Sequence, residues 1–153
     1  MNINIVCVGK IKEDYLRNGI EEYKKRCLPF AKINIIEVKE TNTLDEEKNK
    51  VEEGKEILSR IKDDEYVITL EINGKNISSV ELASLIDDKV TYGASTITFI
   101  IGGSLGLASE VIERANYHLS FGKMTYPHQL MRLVLMEQIY RCFMINNNHK
   151  YHK

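Results

Sequence analysis

No apolar run in this 153-residue chain approaches the ~20 residues that would span a bilayer, which predicts no membrane-spanning helix. The opening segment Met1-Asn2-Ile3-Asn4-Ile5-Val6-Cys7-Val8-Gly9 lacks a basic lead and a small-residue cleavage site, so it reads as a first strand and not as a signal peptide. Cysteine is scarce. Cys7, Cys27 and Cys142 are odd in number, far apart and never in a Cys-x-x-Cys pair, which predicts reduced core thiols in a cytoplasmic protein, without disulfide or zinc. Repeats, low-complexity tracts and linker-like stretches are missing, and the length suits one domain over residues 1–153. A composition 43% hydrophobic and 28% charged excludes wholesale disorder.

Familiar ligand signatures are missing too. Gly102-Gly103-Ser104-Leu105-Gly106 follows a strand and opens a helix, but a Gly-x-Gly-x-x-Gly dinucleotide fingerprint would need glycine at 101, where Ile101 stands. No Gly-Lys-Ser/Thr follows, so it is not a phosphate loop. The turn suits close approach of backbone to a ligand, and equally a tight strand-to-helix connection. No Gly-x-Ser-x-Gly elbow supports a serine-histidine-acid triad. His149 and His152 are three apart but lie among Lys150 and Lys153 with no third ligand cluster, so no metal is expected.

What is present is an alternation of strands and helices. Strands are predicted at Ile3 to Val8, Ile33 to Val38, Tyr66 to Ile72, Thr96 to Ile101 and Tyr117 to Phe121, from β-branched apolar runs. The third is expected to end at an Asn73-Gly74 turn, and the fourth, apolar on both faces, to be central. Between them, helices are predicted over Asp14 to Arg26, Leu44 to Ile61, Ser78/Ser79 to about Val90 (with Glu81 close behind the cap) and Leu107 to Ala115. Glu40-Thr41-Asn42-Thr43 is a polar break. The order implies an α/β fold with a mostly parallel sheet, whose ligands sit at the carboxyl ends of the strands.

A last helix, about Pro127 to Ile145, is apolar almost all round, so it should be covered on most sides, with a partner subunit as the second cover beyond its own sheet. Its polar residues form two pairs one turn apart, His128 with Arg132 and Glu137 with Arg141. Charge is uneven along the chain: residues 1–121 carry 16 Lys+Arg against 21 Asp+Glu, and residues 122–153 carry 5 against Glu137 alone. A basic tail on an acidic body suits an anionic partner, although so short a segment can also be unbalanced by chance. Tyr151-His152-Lys153 would serve for base stacking and phosphate holding, or simply be a frayed end.

An ordered set of motifs runs along nearly the whole chain: Val8-Gly9-Lys10, Glu22-Tyr23 with Arg26, Ile68-Thr69-Leu70, Phe99-x-Ile101-Gly102-Gly103-x-x-Gly106, Arg114-Ala115, Leu119-Ser120, Met124-Thr125-x-Pro127-His128-Gln129-Leu130-x-Arg132, Glu137-Gln138-x-Tyr140-Arg141 and Tyr151-His152-Lys153. Together they resemble the ribosomal RNA large subunit methyltransferase H family. The resemblance implies the SPOUT fold, a Rossmann-like sheet whose C-terminal part forms a trefoil knot, which composition cannot show. It further implies a homodimer, S-adenosylmethionine as cofactor, and methylation of N3 of a pseudouridine in 23S ribosomal RNA on the assembled ribosome. The other readings are a knotted methyltransferase acting on another RNA, such as transfer RNA, and a non-catalytic ribosome-binding dimer.

Carried over by position, the resemblance assigns the cofactor to Leu70, Gly102 and the stretch Phe121, Gly122, Lys123, Met124, Thr125, Tyr126. Gly102 would be small because adenine and ribose need close backbone contact. Arg132, Arg141, Tyr151, His152 and Lys153 are expected to hold RNA, with His128 or His152 as proton acceptor and Arg141 as a further catalytic candidate. Two positions depart from the family pattern. Gly122 replaces a common serine, which predicts a looser loop, and Lys150 replaces a common proline, which predicts a more flexible and more basic tail.

Overall fold

A computed structural model describes residues 1–153. Five strands, β1 (Asn2–Val8), β2 (Lys32–Val38), β3 (Tyr66–Asn76), β4 (Thr96–Ile101) and β5 (Tyr117–Ser120), form one parallel sheet in the order β2-β1-β4-β3-β5. Five helices connect and follow them: α1 (Asp14–Cys27), α2 (Glu46–Ser59), α3 (Ser79–Thr91), α4 (Ser109–Arg114) and α5 (His128–Asn146). The expected α/β class and parallel sheet are therefore present.

Alternation along the central strands explains the two layers of helices. Ile3, Ile5 and Cys7 of β1, with Ile97, Phe99 and Ile101 of β4, face a core completed by α1, α3 and α5. Val6, Val8 and Ile100 face the other way, onto Ile57 of α2 and Val111 of α4. Strands covered on both faces must be apolar at nearly every position, and these are. Burial pushes the thiols of Cys7, Cys27 and Cys142 up to about 12, and all three are free.

Local signals account for several boundaries. Ser78 accepts the Glu81 amide while the Glu81 carboxylate accepts the Ser78 amide, a reciprocal cap that starts α3 where the sequence placed it. The side chain of Asp45 caps α2 by accepting from Lys48 N at 3.1 Å. The polar break before α2 is held down: Glu53 accepts from Thr41 N and Asn49 from Thr43 N.

Two expectations need correcting. Asn73-Gly74 is not a turn: β3 runs on to Asn76, with a shift of register against β5 between Leu70 and Lys75. A Cβ at Gly74 would lie 2.8 Å from the His118 carbonyl, so glycine serves close strand approach there. Pro127 precedes α5 as its N-cap instead of occupying its first turn. Within one chain, α1 and α3 pack along the two flanks of α5, and no residue of α5 is fully exposed.

Candidate active site

The carboxyl ends of β3, β4 and β5 open into a cleft of about 380 Å³. Its walls include Leu70 at the end of the first part of β3, Gly102 after β4, and Phe121, Gly122, Met124, Thr125 and Tyr126 after β5, with His128 at the start of α5. The structure thus brings together seven of the eight positions assigned to the cofactor. Lys123 is exposed and does not line the cleft.

Two glycines have visible reasons. A Cβ on Gly102 would sit 2.9 Å from the carbonyl carbon of Gly106, so the turn must close on itself through glycine before any ligand is considered. Gly122 has φ +108°, a left-handed conformation that favours glycine. Its loop is pinned: the Ser120 hydroxyl accepts the Gly122 amide at 3.1 Å and donates to the Ile72 carbonyl at 2.9 Å. That bond supplies local order where the sequence predicted a looser loop.

The other candidates separate into two groups at opposite ends of α5. His128 is half-buried and its Nδ1 is buried without a partner. Burial, and then the Arg132 charge, lower its pKa against a smaller opposing effect of Glu40, so the ring is a neutral imidazole with a free acceptor or donor nitrogen. Arg132, one turn on, is only 1% exposed. Its Nη1 donates to Glu37 at 2.6 Å, and Nη2 donates to the carbonyls of Gly9 at 2.8 Å and Val8 at 3.2 Å. This placement is at odds with the RNA contact expected of Arg132: the guanidinium is buried and committed to the β1–α1 connection.

At the far end, Arg141 Nε donates to Glu137 at 2.9 Å, with Nη2 on the same oxygen, and Nη1 lies 3.1 Å from His152 Nδ1. Tyr151 donates to the same carboxylate at 3.1 Å, and its ring lies under the Arg141 guanidinium at 4.8 Å and edge-on to Tyr140 at 4.8 Å. Burial first, then hydrogen bonding to Tyr23 and Glu137, pushes the Tyr151 phenol up to about 12, so it is a donor throughout the physiological range. Tyr151 and His152 are docked and not frayed, whereas Lys153 is exposed.

Sequence reasoning missed Glu71, His118 and Thr69. Glu71 lines the cleft and is bonded by both the Thr69 hydroxyl and His118 Nδ1. Only its place directly after Leu70 could have flagged it; the β3–β5 register that brings His118 alongside has no local signature.

A family model described as predicted SPOUT methyltransferase matches residues 1–152. The chain belongs to the SPOUT methyltransferase family. It is 54% identical to a protein named ribosomal RNA large subunit methyltransferase H from Carboxydothermus hydrogenoformans, 53% to one of the same name from Clostridium novyi and 54% to one from Lactiplantibacillus plantarum, each over 100% of both chains. Among solved structures it is similar to a probable methylase family protein from Haemophilus influenzae Rd KW20, with a TM-score of 0.54 at 17% identity, covering 95% of this chain and 66% of that one, which speaks to the fold alone. The strand order and the SPOUT family together are consistent with the knotted C-terminal connection. No helix of this SPOUT methyltransferase is long and apolar enough to cross a membrane.

Proposed function

We propose that this chain is a cytoplasmic, homodimeric enzyme that transfers the methyl group of S-adenosylmethionine to N3 of a pseudouridine in 23S ribosomal RNA within the assembled ribosome, with residues 1–153 acting as one catalytic unit. The observation that carries the cofactor is the lining of the cleft. Apolar side chains and the backbone of a glycine turn make up most of it, and it contains no lysine or arginine. Such a lining suits a ligand with a flat base and a sulfonium, and disfavours one with phosphates, which need cations or a helix N-terminus. Leu70, Gly102 and the 121–126 loop would hold the cofactor, which supplies an electrophilic methyl group.

The protein's own share of the work is alignment and proton removal. Displacement at a methyl carbon gains much of its rate from holding the reacting atoms in line, the task of the rigid strand ends. The N3 proton must leave, and neutral His128 at the cleft is placed to take it. Arg141, Tyr151, His152 and Lys153 present the RNA-facing tail. Thirteen residues of helix separate Arg141 from His128, about 20 Å at ~1.5 Å per residue, so a tail does not serve the cleft of its own chain directly. A second copy brings the tail of one subunit to the cleft of the other, and two subunits also give a chain without a separate RNA-binding domain a composite surface for reading ribosome shape.

The test has two arms. Calorimetry should show S-adenosylmethionine binding, and mass spectrometry of ribosomal RNA from a deletion strain should lack one methyl on one pseudouridine. Binding with a methyl lost from transfer RNA instead moves the substrate. Binding with no methyl lost anywhere leaves a non-catalytic ribosome-binding dimer.

A further inference from the structure

Glu71 is the only carboxylate in the lining of the cleft. Its side chain is 18% exposed, and its two oxygens are differently engaged. Oε2 is held from behind by the Thr69 hydroxyl and by His118 Nδ1, while Oε1 makes no hydrogen bond within the chain. The carboxylate is therefore fixed in orientation, with one face open. An ionised carboxylate is an acceptor only, so what it can recognise is a donor.

An adenosyl ligand offers a limited set of donors. Carbonyls of the glycine turn can serve the adenine amine, but the vicinal ribose hydroxyls are donors side by side, and the open Oε1 can accept from them. An acid at the carboxyl end of a parallel strand taking a ribose hydroxyl is a general solution in α/β nucleotide sites. Here Glu71 follows Leu70 on β3, beside the strand that leads into the Gly102 turn. We infer that Glu71 reads the ribose hydroxyls of the adenosyl cofactor, with Thr69 and His118 as positioning residues that hold its carboxylate in place. The inference rests on the adenosyl-binding reading above.

Calorimetry on the full-length chain tests it, with S-adenosylhomocysteine and its 2′-deoxy counterpart as probes. A hydrogen bond to a charged group is lost with the hydroxyl, so the wild type should bind the deoxy ligand about 10- to 100-fold more weakly. Glu71→Ala should weaken the ribose ligand by a similar factor and bind both ligands alike. Glu71→Gln, which keeps the shape and one acceptor, should fall between and guards against misfolding of the alanine variant. His118→Ala should shrink the ratio between the two ligands, a readout that a merely structural role would not move. A Glu71→Ala protein that still prefers the ribose ligand as the wild type does overturns the inference while leaving the cofactor reading intact. So does a variant that weakens both ligands equally with the ratio unchanged, which would assign the carboxylate to the ammonium of the ligand. Absence of any wild-type binding removes the cofactor reading and this inference together.

Discussion

Replacing Arg132 by methionine separates a structural arginine from an RNA-binding one. The side chain is 1% exposed and donates to Glu37, to Gly9 O and to Val8 O. Methionine fills a similar length but donates nothing, so two carbonyls at the end of β1 lose their partner. A buried polar group left unsatisfied costs about 1–3 kcal/mol. Glu37 is less demanding. Its side chain is 37% exposed and also accepts the Ile11 amide, so water can replace the guanidinium and the ion pair itself contributes about 1 kcal/mol or less.

The sum for Arg132→Met is about 2–7 kcal/mol of lost stability, centred near 4. In a domain of this size each kcal/mol moves Tm by about 2–4 °C, so the midpoint should fall by about 10 °C. Arg132→Lys keeps the charge and one direction of donation and should lose about half as much. Differential scanning calorimetry reads both, with methyl transfer to ribosomes measured well below the lowered midpoint. A methionine variant that melts within about 2 °C of the wild type yet transfers no methyl group would refute the reasoning, and would return Arg132 to the RNA.

Three further outcomes follow from the same geometry. Because the His128 pKa is lowered on folding, the unfolded chain binds the extra proton first as pH falls. The contribution is intact above the unfolded value of about 6.5 and is lost as pH drops toward the folded one, so His128→Gln should flatten the acid-side decline in urea midpoint below pH ~6.5. Gly102→Ala places a Cβ 2.9 Å from the Gly106 carbonyl carbon, so the turn must shift; calorimetry should show S-adenosylmethionine binding weakened at least about tenfold, with a stability loss of about 1–3 kcal/mol. Arg141→Ala or His152→Ala should abolish methylation of ribosomes while cofactor binding persists, and full activity in both would remove the tail from the reaction.

How far the sequence discloses this structure depends on whether the deciding contact is local. β1 and β4 are legible because strands buried on both faces leave an unbroken apolar run, and α3 because its Ser78–Glu81 cap lies within one turn of chain. Asn73-Gly74 misleads because turn propensity is local while its competitor is not: β5 comes within reach of the Gly74 backbone and keeps β3 extended. Arg132 misleads for the same reason. One turn from His128 it reads as part of a polar stripe, but the end of β1 passes over that face and buries it. Motif order points to the 121–126 loop that lines the cleft, whereas Glu71 owes its setting to Thr69 and to a strand 47 residues on.

The two candidate proton acceptors can be told apart by their hydrogen bonds. His152 Nδ1 faces Arg141 Nη1, which can only donate, so Nδ1 is an acceptor and the neutral ring carries its proton on Nε2. A ring in that state offers a donor outward and has no lone pair left for an incoming N3 proton. His128 has no such partner: its Nδ1 is unbonded, Arg132 nearby opposes a positive charge on it, and it lies on the cleft itself. Under the proposed function, that difference favours His128 as the base and leaves His152 and Lys153 to hold RNA, while Glu137 fixes Arg141 and Tyr151 behind them. Nitrogen NMR of the imidazoles checks the division, with His152 expected as the Nε2–H tautomer; an Nδ1–H signal for His152 would reopen the assignment.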